Sequence, residues 1–191
     1  MQVLGNKKAP LVLVIGVFHG DEPQGEYLIN KYLETAVKTN IMFIPRLNSE
    51  KTRVNKNGVD LNRNFPTSNW ELTDKNEYFG GKFPASEEET KFVVEIVEKY
   101  QPKVILTLHA PYKIVNYDGG KDKFEIVEKI SEIMSYPIEP SIGYPTPGSF
   151  GTWAGIEKDI LTITLELDEE INVEELKIPV FEVFEYLEGI K

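Results

Sequence analysis

Hydrophobic residues in this chain form short runs that alternate with amphipathic segments. Four runs rich in Val, Ile and Leu predict short strands buried on both faces. Apolar residues at helical spacing predict four amphipathic helices. The predicted strands are residues 10–18, 41–44, 103–110 and 160–167, and the predicted helices are residues 22–38, 86–100, 122–134 and 173–187.

Two irregular segments interrupt this alternation. Residues 46–85 are polar and show little periodicity, and residues 143–155 are rich in Gly, Pro and aromatic side chains. Structureless loops as long as the first segment are uncommon in compact domains, so we predict that it is functional. Ser86 and Glu89 have the spacing of a capping box, which predicts the start of the helix that follows.

The alternation of strands and helices predicts an α/β fold, with a central sheet covered by helices on both faces. No internal repeat, low-complexity tract or linker divides the chain, and 191 residues are close to the usual size of one domain. Residues 1–191 are therefore predicted to form a single domain.

The charge of the chain argues against some partners. The sequence has 31 acidic and 21 basic side chains, with a net charge of −10. An acidic chain without a basic cluster is not expected to bind nucleic acid. No segment reaches the roughly 18–20 apolar residues of a membrane span, so no membrane partner is expected. Lys7 and Lys8 precede the first apolar run, but no small-residue cleavage site follows it, so we expect a cytoplasmic protein.

The chain contains no cysteine and two histidines. The absence of cysteine excludes disulfides, iron–sulfur clusters, thiolate zinc sites and Cys nucleophiles. Any site built on imidazole must therefore use His19, His109 or both.

Three chemically functional side chains, His19, His109 and Glu166, lie at or near the C-terminal ends of predicted strands. Ligands of open α/β sheets bind outside these ends. His19 and Glu22 are three residues apart at a strand-to-helix turn, and His109 can supply a third ligand. Two histidines with one glutamate form a known catalytic zinc set. These features leave open the alternative that His19 caps the helix and His109 is a hydrogen-bonded core residue.

A second polar cluster lies in the long predicted loop. Residues 53–66 contain two arginines, four asparagines and one aspartate beside Leu61 and Phe65. A solvent-exposed loop has no need for these apolar residues. Asn62 and Arg63 offer amide and guanidinium donors together, and a planar guanidinium is suited to bidentate binding of a carboxylate.

Together these motifs resemble the zinc carboxypeptidase family. His19-x-x-Glu22 is followed by GVDLNRNFP at residues 58–66, LHA at His109 and TLELDE at residues 164–169. The resemblance implies a mixed, mostly parallel sheet flanked by helices, and one zinc ion per chain. TRVNKNGVDLNRNFP and GYPTPGSFGTWAG look most like the bacterial murein peptide amidases, which implies cleavage of the γ-D-glutamyl–diaminopimelate bond in cell-wall peptides during cytoplasmic recycling.

The resemblance also assigns roles around the metal. His19, Glu22 and His109 match the zinc ligands of the family. Asp60 matches the carboxylate that accepts a hydrogen bond from the first ligand histidine and so selects its tautomer. Glu166 matches the general base, which takes a proton from water during attack and returns it to the leaving amine.

Further matched residues are implied to bind the substrate. Asn62 and Arg63 match the pair that binds the free carboxylate of the C-terminal residue, and Arg53 is the candidate for stabilising the developing oxyanion. Tyr144 has a spacing compatible with the tyrosine that closes over substrate in digestive relatives, although it can also be a packing aromatic.

Gly151 and Thr152 fall where the family shapes its side-chain pocket. Their small size predicts a roomy, polar pocket without an acidic anchor. This is compatible with a zwitterionic diaminopimelate side chain.

Two other functions remain open from the sequence. One is a zinc-dependent N-acyl amino acid deacylase of the aspartoacylase and succinylglutamate desuccinylase type, which shares His-x-x-Glu, a distant His and a related Asn-Arg stretch. The full DLNRNFP and GSFGTW motifs favour the amidase. The other is a catalytically inactive binding module on the same fold.

Overall fold

One sheet forms the centre of the computed structural model, which describes residues 3–5, 11–35, 40–140 and 143–190. In these residues the strands are β1 Leu4–Gly5, β2 Val12–Ile15, β3 Ile41–Ile44, β4 Val104–His109, β5 Ile114–Asp118 and β6 Leu161–Glu166. The α-helices are α1 Gln24–Leu33, α2 Glu88–Tyr100, α3 Phe124–Met134 and α4 Lys177–Glu188. Shorter helical segments are the 3₁₀ turns Leu61–Arg63 and Lys121–Lys123 and the π-helix Gly151–Glu157.

The sheet is mixed and mostly parallel. Its strand order is β1-β3-β2-β4-β6-β5, in which the four central strands run parallel and the two edge strands are antiparallel to their neighbours. The central strands are almost completely buried, which explains their continuous apolar sequence. The predicted fold class is confirmed.

Helices cover both faces of this sheet. Helices α1, α3 and α4 pack on one face, whereas α2 and the π-helix pack on the other. Residues alternate between the two cores along each strand, so that Val14 of β2 contributes to the first core and Leu13 to the second. No helix among the described residues has the length and apolar character needed to cross a bilayer.

Several predicted boundaries were wrong. The short β1 and the half-buried β5 were not predicted, because neither edge strand has a continuous apolar run. The irregular segment 143–155 ends inside the π-helix, and the last helix begins at Lys177 rather than residue 173. Residue 10 of the first predicted strand and residues 36–38 of the first predicted helix lie outside the described residues.

The predicted capping box was also wrong. Helix α2 begins at Glu88, and Ser86 Oγ donates to Glu87 Oε1 instead of capping the helix. The buried Asn64 takes this place: its Oδ1 accepts from the Glu87 backbone N–H at 3.1 Å, and its Nδ2 donates to Ser86 Oγ at 3.0 Å. Asn64 thereby joins the long polar segment 46–85 to the start of α2.

Candidate metal and active site

The carboxyl ends of three neighbouring parallel strands, β2, β4 and β6, meet at one edge of the sheet. His109 ends β4 and Glu166 ends β6, and the two residues are paired in register. His19 and Glu22 lie in the turn between β2 and α1. The side chains that were predicted to meet at this edge are therefore brought together.

His19, Glu22 and His109 form a compact cluster whose ligand atoms all lie within 4.8 Å of one another. Nδ1 of His19 is 2.8 Å from Glu22 Oε1, and Nδ1 of His109 is 3.0 Å from Glu22 Oε2. The Glu22 carboxylate thus lies between the two imidazoles.

Asp60 orients His19 from the other side. It is fully buried, and its Oδ1 lies 3.1 Å from His19 Nε2 and accepts from the Asn62 backbone N–H at 2.9 Å. Its Oδ2 accepts from Nε and Nη2 of Arg53 at 3.2 and 3.0 Å. Because Nε2 donates to Asp60, Nδ1 of a neutral His19 carries the lone pair that faces Glu22.

Without a bound metal ion, neighbouring side chains hold the carboxylates of Glu22 and Asp60 in their ionised form. Burial opposes ionisation of Glu22, but hydrogen bonds to His109 and His19 hold its pKa well below the usual range. Burial also opposes ionisation of Asp60, yet His19 and Arg53 lower its pKa to about 2. Burial lowers the pKa of His19, whereas hydrogen bonds to Asp60 and Glu22 outweigh burial and raise it to about 9. The cluster therefore favours a cation.

The donor set fits zinc. Catalytic zinc sites use three protein ligands such as two histidines and one glutamate, and they keep one position open. Here both imidazoles are 4% exposed, and the cluster opens into a cleft of about 290 Å³. A further ligand can reach the site through this cleft.

Glu166 lines the same cleft and is 5% exposed. Its Oε2 has no hydrogen-bond partner among the described residues, and burial raises the pKa of this carboxyl group. A buried carboxylate oxygen without a hydrogen-bond partner is energetically costly, and carboxyl groups with a shifted pKa are concentrated at functional sites. A raised pKa makes the ionised carboxylate a stronger base than that of an exposed glutamate.

Cationic and amide donors line the cleft beside the metal cluster. Arg53 Nη1 lies 4.0 Å from Glu22 Oε1, and its guanidinium stacks over the ring of Tyr78 at 5.0 Å. Asn62 Oδ1 accepts from the Phe150 backbone N–H at 2.9 Å, so its amide hydrogens remain for other acceptors. The buried Arg63 donates from Nη1 to the Asn62 carbonyl at 2.7 Å.

A side pocket of about 130 Å³ adjoins the cleft. The residues that line it include Asn116, Asp118, Tyr144, Ser149, Gly151 and Glu166. Tyr144 lines both the cleft and this pocket and is 39% exposed. Thr152 is not among the lining residues, because its side chain turns to Ser149 Oγ, which donates to Thr152 Oγ1 at 2.9 Å.

The expectation of a pocket without an acidic residue was wrong, because Asp118 lines it. Sequence reasoning missed this residue together with its strand, β5. The available signal was the alternation of residues 115–118, in which Val115 and Tyr117 pack on one core while Asn116 and Asp118 face the pocket.

The chain is similar in sequence to known peptidases and amidases. The zinc carboxypeptidase family model (peptidase M14) matches residues 2–179. Murein peptide amidase A of Escherichia coli (strain K12) is 35% identical over 114 residues, which are 53% of this chain and 46% of that protein. The Vibrio campbellii (strain ATCC BAA-1116) protein of the same name is 32% identical over 136 residues, covering 64% and 53%. The matches thus span about half the length of these curated relatives.

Solved structures show the same fold. The murein-tripeptide amidase MpaA from Escherichia coli O157 superimposes with a TM-score of 0.82 at 26% identity, covering 98% of this chain and 84% of that one. Thrombin-activatable fibrinolysis inhibitor has a TM-score of 0.72 at 15% identity over 98% and 65% of the two chains, a likeness of fold alone. Because the family model covers most of the sequence, this chain belongs to the zinc carboxypeptidase family, a family of hydrolases.

Proposed function

We propose that this chain is a zinc-dependent amidase of the carboxypeptidase type, which hydrolyses the amide bond before the C-terminal residue of a small peptide. The observation that carries the proposal is the convergence of His19, Glu22 and His109 on one cleft with Glu166, whose buried Oε2 has no hydrogen-bond partner among the described residues. Metal-assisted hydrolysis requires such ligands and a free base in one place.

In this proposal His19, Glu22 and His109 hold one zinc ion per chain. Zinc supplies Lewis acidity, which polarises a carbonyl group and lowers the pKa of bound water to roughly 7. Asp60 keeps His19 in the tautomer that can act as a ligand, since it accepts the hydrogen bond from Nε2.

Glu166 and Arg53 perform the chemistry that the polypeptide itself supplies. Glu166 accepts a proton from the attacking water and transfers it to the leaving amine. Arg53 stabilises the negative charge that develops on the carbonyl oxygen, because its guanidinium lies in the cleft beside Glu22.

Asn62 and Arg63 bind the free carboxylate of the substrate, and Tyr144, which lines the same cleft, covers the bound substrate. The chain as a whole has a charge of −10, so these donors create a positive site that is local to the cleft. Gly151 contributes to the adjoining side pocket, which receives the side chain of the C-terminal residue.

The relatives named murein peptide amidases suggest a substrate class. We infer that the substrate is a murein peptide and that the cleaved bond joins γ-D-glutamate to diaminopimelate. In this hypothesis residues 1–191 form one catalytic domain that acts in the cytoplasm. Its partner is the small peptide substrate, and its role is in peptidoglycan recycling.

The test compares two substrate classes on zinc-loaded protein: a γ-D-glutamyl-diaminopimelate peptide, and N-acetyl- or succinyl-amino acids. Release of free diaminopimelate supports the proposal. Turnover of the acyl amino acids alone identifies a deacylase and refutes it. No turnover of either class, in protein with about one zinc per chain, identifies a binding module and also refutes it.

A further inference from the structure

The side pocket contains an acidic group that the proposed hydrolysis does not use. Asp118 ends β5, and it lines the pocket together with Asn116 and Gly151. Glu166 and Tyr144 line both this pocket and the cleft with the candidate metal ligands, so the two cavities adjoin each other. A residue bound beside Glu166 can therefore extend its side chain toward Asp118.

Two glycines of the π-helix pack directly against Asp118. A Cβ atom at Gly151 would lie 2.2 Å from Asp118 Oδ2, and one at Gly155 would lie 2.3 Å from Asp118 Cβ. A side chain at Gly155 would collide with Cβ and the backbone of Asp118, and one at Gly151 would displace the Asp118 carboxylate from its present position. The tight packing restricts Asp118, as expected of a preorganised binding group.

The Asp118 carboxylate has no counter-charge in the part of the chain that the structure describes. No hydrogen bond or ion pair from these residues reaches its side chain, and burial raises its pKa. Burial of a carboxylate is unfavourable unless a hydrogen-bonded cation joins it. A positively charged ligand group would supply what the protein does not.

The strand register indicates how far a positively charged ligand group must extend from Glu166 to reach Asp118. Asp118 is paired with Thr162, whereas Ile114 is paired with Glu166 at the other end of the same ladder. Four residues of strand correspond to roughly 13 Å, so the backbone of Asp118 lies about that far along the sheet from Glu166. Engineered cavities of about 150 Å³ hold a benzene molecule, so the pocket of about 130 Å³ has room for a side chain of about five heavy atoms, such as that of lysine.

We propose that Asp118 binds an ammonium group at the end of the side chain of the substrate's C-terminal residue. The inference rests on the proposed function, which places that residue's carboxylate at Asn62 and Arg63. Asp118 would then determine specificity for the C-terminal residue of the substrate. It would favour residues such as lysine and diaminopimelate over residues with uncharged side chains of equal length.

The experiment uses zinc-loaded protein and three γ-D-glutamyl peptides that end in meso-diaminopimelate, lysine or norleucine. Norleucine has the length of lysine without its terminal ammonium group. Charge-assisted hydrogen bonds of roughly 1.5–3 kcal/mol correspond to a difference in affinity of about 10- to 140-fold. We expect kcat/KM for the lysine peptide to exceed that for the norleucine peptide by this factor, mainly through KM.

Asp118→Asn tests the residue itself, since it keeps the volume and removes the charge. It should reduce the ratio of kcat/KM for the lysine peptide to kcat/KM for the norleucine peptide to about 1. Asp122→Asn, at a neighbouring acid that is 76% exposed, is the matched control and should keep the preference for lysine. Retained selectivity in Asp118→Asn overturns the inference.

A binding measurement separates this inference from the proposed function. Calorimetry on the unmodified protein compares free lysine with norleucine, and it requires neither turnover nor a folded variant. Tighter binding of lysine supports the inference even if no peptide is cleaved, in which case the proposed function alone fails. Equal binding, or cleavage without any preference for the ammonium group, overturns the inference alone.

Discussion

Glu166 lies directly beside His109 at the carboxyl ends of two adjacent parallel strands, and the two residues are paired in register. A buried carboxylate is thereby placed next to a candidate metal ligand from a distant part of the sequence. Parallel pairing aligns residues at regular intervals, so this proximity follows from the register of β4 and β6.

Glu166→Gln should retain zinc and lose turnover by about 10²- to 10⁴-fold, because an amide cannot accept the proton of the attacking water. Stability should not fall, since burial disfavours the charge that this substitution removes. Zinc content, thermal midpoint and kcat on the γ-D-glutamyl peptide check these expectations. The exposed Glu175→Gln is the control. Near-normal turnover in Glu166→Gln would refute the general-base role.

Asp60→Asn should weaken zinc binding by about 10- to 100-fold, because it disturbs the partner that orients His19. Competition with a chelator of known affinity measures the zinc dissociation constant. The exposed Asp74→Asn changes the same net charge and should leave zinc affinity unchanged. An equal affinity in both variants would show that His19 does not depend on Asp60 for its orientation.

Removal of zinc should make stability depend on pH between about 6.5 and 9. Burial lowers the pKa of His19, but hydrogen bonds to Asp60 and Glu22 outweigh it and raise the value from 6.5 to about 9. Protonated His19 therefore stabilises the metal-free fold fully below pH 6.5, and this contribution is lost as the pH rises through 9. The urea midpoint of chelator-treated protein should fall across this range.

Zinc-loaded protein is the control for this pH dependence. A histidine that ligates zinc is neutral at the ligating nitrogen, so the fall attributed to His19 should be absent. His19→Gln should also lack it in the metal-free state. If the urea midpoint falls equally with pH in the presence and absence of zinc, the assignment of His19 as both a titrating group and a zinc ligand is contradicted.

Asn64→Ala should lower the free energy of unfolding by about 2–3 kcal/mol, because it leaves the buried Glu87 N–H unsatisfied and detaches the long segment from α2. Ser86→Ala should cost less, since Ser86 does not cap the helix. Urea unfolding of both variants tests the difference. A larger loss in Ser86→Ala would restore the capping-box interpretation.

Local patterns predicted much of this molecule. The central strands are buried on both faces, so the sequence of each is a nearly continuous run of apolar residues. The His19–Glu22 pair follows from a spacing of three residues across one turn. The edge strand β5 could not be recognised in this way, because a strand with only one face on the hydrophobic core mixes polar and apolar residues.

The start of α2 also shows where local sequence patterns predict the structure and where they fail. Ser86 and Glu89 satisfy a local rule, yet Asn64 from the long polar segment takes over the hydrogen bonds at this position. A local capping rule cannot detect a competitor that the fold brings from elsewhere in the chain.

The sequence by itself determined the four parallel strands, the candidate ligand pair His19 and Glu22, and the Asn-Arg motif, because each depends on side chains close together along the chain. Only the tertiary structure decided which residues line the side pocket. Asp118 reaches it through antiparallel pairing at the sheet edge and close packing against Gly151 and Gly155. These contacts join distant segments, and no local spacing encodes them.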